Sequence, residues 1–276
     1  MPLPRILMLT ALTMIAFAGN SVLCRIALKE TAIDAASFTS VRLLSGALVL
    51  ALAAQLTKSA GAGKGNWLSA LALMAYAGFF SFAYLSLSAA TGALLLFGAV
   101  QATMIGYGIW KGERLQGWHL AGLILALSGL VGLMLPGLTA PPLWGSVLML
   151  LAGVAWGVYS LRGRGAGNPV RVSAGNFLRA VPMALALSGV AWSQFNPDPS
   201  GIAYAIASGA IASGIGYAIW YSVLPALKAT HAATVQLSVP VIAALGGILF
   251  LGEAVSLRLV LASIAILGGI ALVIRK

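Results

Sequence analysis

The chain has 276 residues, 61% of them hydrophobic and only 8% charged, with 16 basic and 5 acidic side chains giving a net charge of +11. A soluble domain carries about a quarter charged residues, so this chain cannot clothe a water-facing surface. The basic residues stand singly between apolar runs and form no patch, which excludes a nucleic-acid face, and the single Cys24 excludes an internal disulfide.

Cutting the chain at charges, prolines and polar glycine-rich stretches predicts an all-α membrane protein of ten apolar segments. They fall near 5–28, 34–56, 66–88, 91–110, 116–135, 143–162, 170–193, 200–224, 229–250 and 256–274. About 20 residues at the helical rise cross the hydrocarbon core. The first 18 residues also resemble a signal peptide, with Arg5 ahead of an apolar stretch and Ala16-Phe17-Ala18 as a cleavage site. The apolar run continues to Leu28, which favours a first span. The links are short, and the two longer ones, Thr57–Gly65 and Arg162–Val170, are rich in glycine and basic residues.

Orientation follows from the basic residues. With ten spans, one face carries Arg5, Lys58, Lys64, Lys111, Arg114, Arg162, Arg164, Arg171, Lys228, Arg275 and Lys276. The other carries Lys29 and Arg258, with Arg25 near a helix end. Both termini are therefore expected in the cytoplasm.

Two stretches 140 residues apart read as copies: Trp110-Lys-Gly-Glu113-Arg-Leu and Phe250-Leu-Gly-Glu253-Ala-Val, each opening a long apolar run. Ala18-Gly19 matches Trp156-Gly157, and the stretch ending in Arg42 matches the one ending in Arg179. Fixed-period similarity in a membrane chain points to a duplicated architecture. Five spans per copy is an odd number, so the second copy enters the bilayer from the opposite face. The expectation is two inverted five-helix repeats, 1–137 and 138–276, with a site near the midplane between them.

The Gly-Glu pairs at 112–113 and 252–253, Trp156-Gly157, Arg42 with Arg179, and the five-plus-five pattern resemble the EamA-type drug/metabolite transporters. The resemblance spans essentially the whole chain and leans toward that family's bacterial aromatic amino acid exporters. It implies an inner-membrane secondary carrier exporting amino acids, aromatic and other neutral ones, by alternating access. Another small-metabolite or drug exporter on the same fold is the alternative, and a channel or scaffold a more distant one. Two departures stand out: Ala18 where the family has Trp before Gly19, and Gln101 where the second copy has Pro240.

Enzyme motifs are absent. No glycine-rich loop ends in Lys-Ser/Thr, and His119 and His231 lack a carboxylate at ligand spacing, so neither nucleotide, metal nor other cofactor is expected. Polar and aromatic residues inside spans are the candidate substrate contacts, because each is costly in lipid unless it faces protein or water. These are Asn20, Gln101, Trp156, Tyr159, Tyr217, Trp220 and Tyr221, with Tyr84, Asn176 and Gln236 as further candidates. Amides suit a zwitterion and rings suit apolar side chains or an ammonium. Tyr76, Phe80 and Tyr84 share one helix face. Arg42, Arg179, Glu113, Glu253 and Pro240 are expected to be structural or gating, the glutamates by capping their own helices and Pro240 as a mid-span hinge. No carboxylate lies deep in a span, so facilitated export or exchange fits better than a proton relay. The expected partners are a small-molecule substrate and lipid, and monomer and homodimer stay open.

A reporter fused after Lys276 is expected to read cytoplasmic, and one inserted within Pro136–Pro142 external. An external C-terminus would remove the ten-span count and the inverted repeat together.

Overall fold

The structure is a computed structural model describing residues 2–56, 63–112, 117–135, 137, 140–163, 166–223, 226–227 and 235–274. All regular structure among these residues is helical. In chain order the helices are α1 (Leu3–Glu30), α2 (Ala35–Leu56), α3 (Trp67–Tyr84), α4 (Ala89–Trp110), α5 (Gly117–Met134), α6 (Leu143–Gly163) and α7 (Pro169–Val190). An eighth, α8, runs as α-helical Pro199–Ile206, π-helical Ala207–Ile215 and α-helical Gly216–Val223, followed by α9 (Ser238–Leu251) and α10 (Leu257–Ile274).

Starts are specified locally. The side chains of Asp34, Asn66, Ser88, Asn168, Asp198 and Ser256 each accept from the backbone N–H three residues on, satisfying a donor the helix itself leaves open. Pro169 and Pro199 occupy first positions, where the missing N–H is harmless. Gly252 ends α9 in the left-handed region at φ 61°, and its repeat mate Gly112 has φ 92° after α4. The glycine of each Gly-Glu pair is thus demanded by a backbone that L side chains rarely adopt.

Seven of the helices, α1 to α6 and α8, are long and apolar enough to cross a membrane, while α9 and α10 are apolar but shorter. Among the described residues, seven of the ten expected spans therefore have the length and composition to cross. α7 has 22 residues but carries Arg171 and Arg179. α1 runs unbroken through Ala16-Phe17-Ala18.

The most extensive packing joins α5 to α10, α3 to α6, α2 to α7 and α8, α1 to α8 and α9, and α4 to α6 and α9. The core lies among α1 to α4 and α6 to α10, whereas α5 stands at the side with most of its surface turned outward. Gly122 and Gly269 let α5 and α10 meet backbone to backbone: a Cβ on Gly122 would sit 2.5 Å from the Gly269 carbonyl oxygen. Small-residue contact of this kind is how helices associate without a hydrophobic driving force.

Gly122→Ala should therefore lower the stability of the detergent-solubilised protein by about 1–3 kcal/mol. Gly132→Ala on the same helix, where a Cβ meets nothing within 4 Å, should not. Equal effects in thermal unfolding would show that α5 does not depend on this contact.

Candidate functional site

A chain of aromatic rings crosses the centre of the molecule. Tyr84 meets Phe80 edge-on at 4.8 Å, Phe80 meets Tyr76 at 5.4 Å, and Tyr76 meets Trp156 at 4.8 Å. Trp156 stacks on Tyr159 and touches Tyr217, both at 5.3 Å, and Tyr217 meets Phe17 at 5.7 Å. Phe17 also reaches Trp220, at 6.1 Å. The rings come from α1, α3, α6 and α8.

They enclose a cavity lined by Phe17, Asn20, Ser21, Tyr76, Phe80, Leu96, Phe97, Trp156, Tyr217 and Gln236. Its volume of about 20 Å³ exceeds the 10–15 Å³ that one water needs by the same measure. The site is closed around little more than a water molecule, so a substrate must part the rings. A larger space of about 300 Å³ lies between α4, α9 and α10, but Ser263 gives its wall the only side-chain hydroxyl. Val241, Val260 and Ile264 on that wall are exposed, so the space opens outward and lacks converging polar groups.

Two helix irregularities border the small cavity. The π-helical segment of α8 carries Ser208 and Ser213, whose hydroxyls both donate to Asn20 Oδ1, at 2.8 and 3.3 Å. With its oxygen taken, Asn20 offers the cavity its amide N–H₂. Such π segments recur at functional sites. The second irregularity precedes α9: residues 235 and 236 are helical, Leu237 is a turn, and α9 starts at Ser238. Pro240 therefore stands in the first turn of α9, just past this break. Lacking an N–H, it cannot return a bond to the turn that holds Gln236.

Of the sequence-predicted contacts, Asn20, Trp156, Tyr217 and Gln236 reach the cavity wall. Tyr159 and Trp220 sit one ring behind it. Gln101 is buried on α4 one turn beyond Phe97 but does not line the cavity. Tyr84 is fully buried at the far end of the ring chain. Asn176 is occupied elsewhere: its Oδ1 accepts from Asn66 N–H at 2.9 Å and its Nδ2 reaches Tyr159 Oη at 3.5 Å, tying α7 to the start of α3. The Tyr221 side chain and Glu113 lie outside the described residues. Sequence reasoning missed Phe17, Leu96, Phe97 and the two serines. Phe17 is three residues before Asn20, on the same helix face, which was the available signal.

The two repeated arginines differ. Arg179 Nη1 donates to the carbonyls of Lys64 and Gly175, at 2.6 and 2.8 Å, pinning the segment before α3. Arg42 contacts no loop. It is buried, with Nη2 donating to Tyr76 Oη at 2.9 Å and Cζ over the rings of Phe80 and Tyr76, at 4.7 and 5.2 Å.

Glu253 does not cap α10; Ser256 does. Glu253 Oε2 instead accepts from the N–H of Ala89, the first residue of α4, at 2.8 Å, and Oε1 pairs with Arg25 Nε at 3.2 Å. Arg25 Nη1 also donates to the carbonyl of Tyr84 at 2.8 Å. This half-buried cluster locks the end of α1, the α3–α4 turn and the α9–α10 connection into one latch at one end of the cavity's helices.

Residues 143–275 match the EamA-like transporter family. The chain is 58% identical over 275 residues to the uncharacterized protein PA1977 of Pseudomonas aeruginosa, covering 99% of this chain and 96% of that one. It is 28% identical to an uncharacterized transporter of Archaeoglobus fulgidus over 89% of each chain. It is 32% identical to the threonine/homoserine exporter RhtA of Escherichia coli over 49% of this chain and 47% of that one. A solved crystal structure of another protein superposes with a TM-score of 0.66 at 20% identity, covering 95% of this chain and 96% of that one, which shows the fold. The class is a multi-pass helical membrane protein whose second half is similar to the EamA-like transporter family. The whole chain belongs to one family with PA1977.

Removing one member of the latch leaves the other partly buried without its counter-charge, holding only backbone partners. Arg25→Met and Glu253→Gln should each lower stability in detergent by about 1.5–3 kcal/mol, and the double variant should lose less than the sum. Additive losses would show that the two side chains do not act as one unit.

Proposed function

We infer that the chain is a secondary transporter of the bacterial inner membrane that exports amino acids with apolar or aromatic side chains. It is built as two inverted five-helix repeats, 1–137 and 138–276, with ten spans and both termini in the cytoplasm. The observation carrying this reading is the aromatic cavity between the halves. Its rings come from α1 and α3 of the first half and from α6 and α8, their counterparts in the second.

The packing supports the duplication. Exchanging α1–α5 with α6–α10 turns the α1–α8 contact into α6–α3, α1–α9 into α6–α4, and leaves α2–α7, α4–α9 and α5–α10 in place. Contacts also group as the charge pattern orients the loops. Arg25, the α3–α4 turn and Glu253, all expected on the external face, meet in the latch. Arg162 at the end of α6, expected on the cytoplasmic face, bonds Ser69 Oγ and Asn66 Oδ1 at the start of α3.

In this account the latch closes the external end, and the substrate enters when the cytoplasmic ends of the helices part. Rocking the two halves about the cavity then exchanges the open end. The cavity's rings accept an apolar side chain, and Asn20, Ser21 and Gln236 supply polar contacts for the main-chain charges. RhtA is named for threonine and homoserine; the aromatic lining of this cavity favours larger, apolar side chains.

Counterflow into liposomes holding the purified protein tests the reading. Liposomes preloaded with leucine or phenylalanine should accumulate labelled leucine or phenylalanine at least about tenfold faster than unloaded ones, and Trp156→Ala should abolish the preference for phenylalanine over threonine. Uptake of cationic dyes without any amino acid, or flux without acceleration by preloaded substrate, would contradict it.

A further inference from the structure

Arg42 is the one charged side chain in the buried class among the described residues, at 2% exposure. Two aromatic faces and the Tyr76 hydroxyl account for part of its surroundings, but Nη1 has no hydrogen-bond partner among the described residues. No described carboxylate serves as its counter-ion. Glu253 is held by Arg25 and Ala89, Asp34 by the N–H groups of Ser37 and Asn196, Asp198 by Gly201, and Glu30 by Lys29. A buried guanidinium with an idle N–H and no anion beside it is an expensive arrangement for a membrane protein to retain.

Its position gives the charge a use. Tyr76 and Phe80, the two neighbouring rings it lies against, are both on the cavity wall. Tyr76 Oη accepts from Arg42, so its own O–H is left to donate. Asn20, its oxygen occupied by Ser208 and Ser213, adds N–H donors to the same wall. The lining contains no carboxylate. The cavity therefore has donors in Tyr76 and Asn20, no carboxylate on its wall and a cation one ring away.

We propose that the cavity is selective for organic carboxylates, with Arg42 and Tyr76 together receiving the ligand's carboxylate while its apolar part packs on Trp156 and Tyr217. A guanidinium meets a carboxylate through two parallel N–H donors, and Nη1 supplies the one not already engaged. Swinging the Tyr76 ring aside as the cavity opens brings both groups onto the ligand. Calling the ligand a transported substrate rests on the reading above; the selectivity itself does not.

The test compares phenylacetate with phenylacetamide, which share shape and differ in charge, on the thermal unfolding of the purified full chain. Phenylacetate should stabilise at concentrations at least tenfold below those at which the amide acts. Arg42→Gln should erase that difference and Arg42→Lys should restore part of it, whereas an arginine with a purely structural role would shift ligand-free stability and leave the difference intact. Counterflow of phenylalanine against phenylalaninamide is the second arm, with at least a tenfold preference for the acid. Equal responses of the wild-type protein to acid and amide overturn the proposal even if neither variant folds. Acid-selective stabilisation with no counterflow keeps the carboxylate site and removes the transport reading.

Discussion

The guanidinium of Arg42, buried with no described carboxylate for company, is the constraint around which the centre of this protein is arranged. A charge at that depth must be surrounded by whatever polarity the fold can supply. The fold supplies the faces of Phe80 and Tyr76 and one hydroxyl. Those two rings are then fixed in place. They in turn set where Trp156 and Tyr217 lie, and so where the cavity forms. Other polar groups in the spans are handled more cheaply. Thr39 and Ser81 hydroxyls return to their own helices and meet each other at 2.8 Å, while Ser40 bonds the Ala184 carbonyl of α7. Each contact costs little and also joins helices.

Much of the architecture was legible in the sequence because lipid leaves few choices. Charges, prolines and capping side chains mark where helices must begin and end, and the observed helices follow the expected segments within a few residues. The exception is α9, which starts at Ser238 where 229 was expected, 229–234 lying outside the described residues. The repeated Gly-Glu pair flagged a real backbone requirement at Gly112 and Gly252. The partners were not legible. Glu253 sits near the start of α10, which suggested a cap there, yet it satisfies the start of α4, 164 residues away in sequence. Asn20 could be marked as costly in lipid, but nothing local pointed to Ser208 and Ser213. The π-helical stretch that presents those serines is an unremarkable run of Ala, Gly, Ser and Ile. Aromatic residues could be counted along each helix, but which ring met which depended on packing between helices far apart in the chain.

In the proposed duplication the two halves share a plan without sharing chemistry. Arg42 and Arg179 occupy matching places in α2 and α7, yet one lies beneath the cavity and the other pins a loop carbonyl. Gln101 and Pro240 also hold matching places. The proline sits just past a break beside the cavity, and the glutamine is buried in an unbroken α4. In the proposed duplication these pairs diverge, and the cation behind the cavity comes from α2 alone, while the rings come from α1, α3, α6 and α8. The latch of Arg25 and Glu253 ties α1, the start of α4 and the α9–α10 connection together at one end of the bundle.

The most direct measurement of the central claim is a structure of the chain bound to phenylalanine. The account predicts ligand density between Tyr76, Trp156 and Tyr217, with its carboxylate turned toward Arg42 and Tyr76 and its ring against Trp156. Density instead in the outward-opening space between α4, α9 and α10, or a ligand turned with its ammonium toward Arg42, would contradict it.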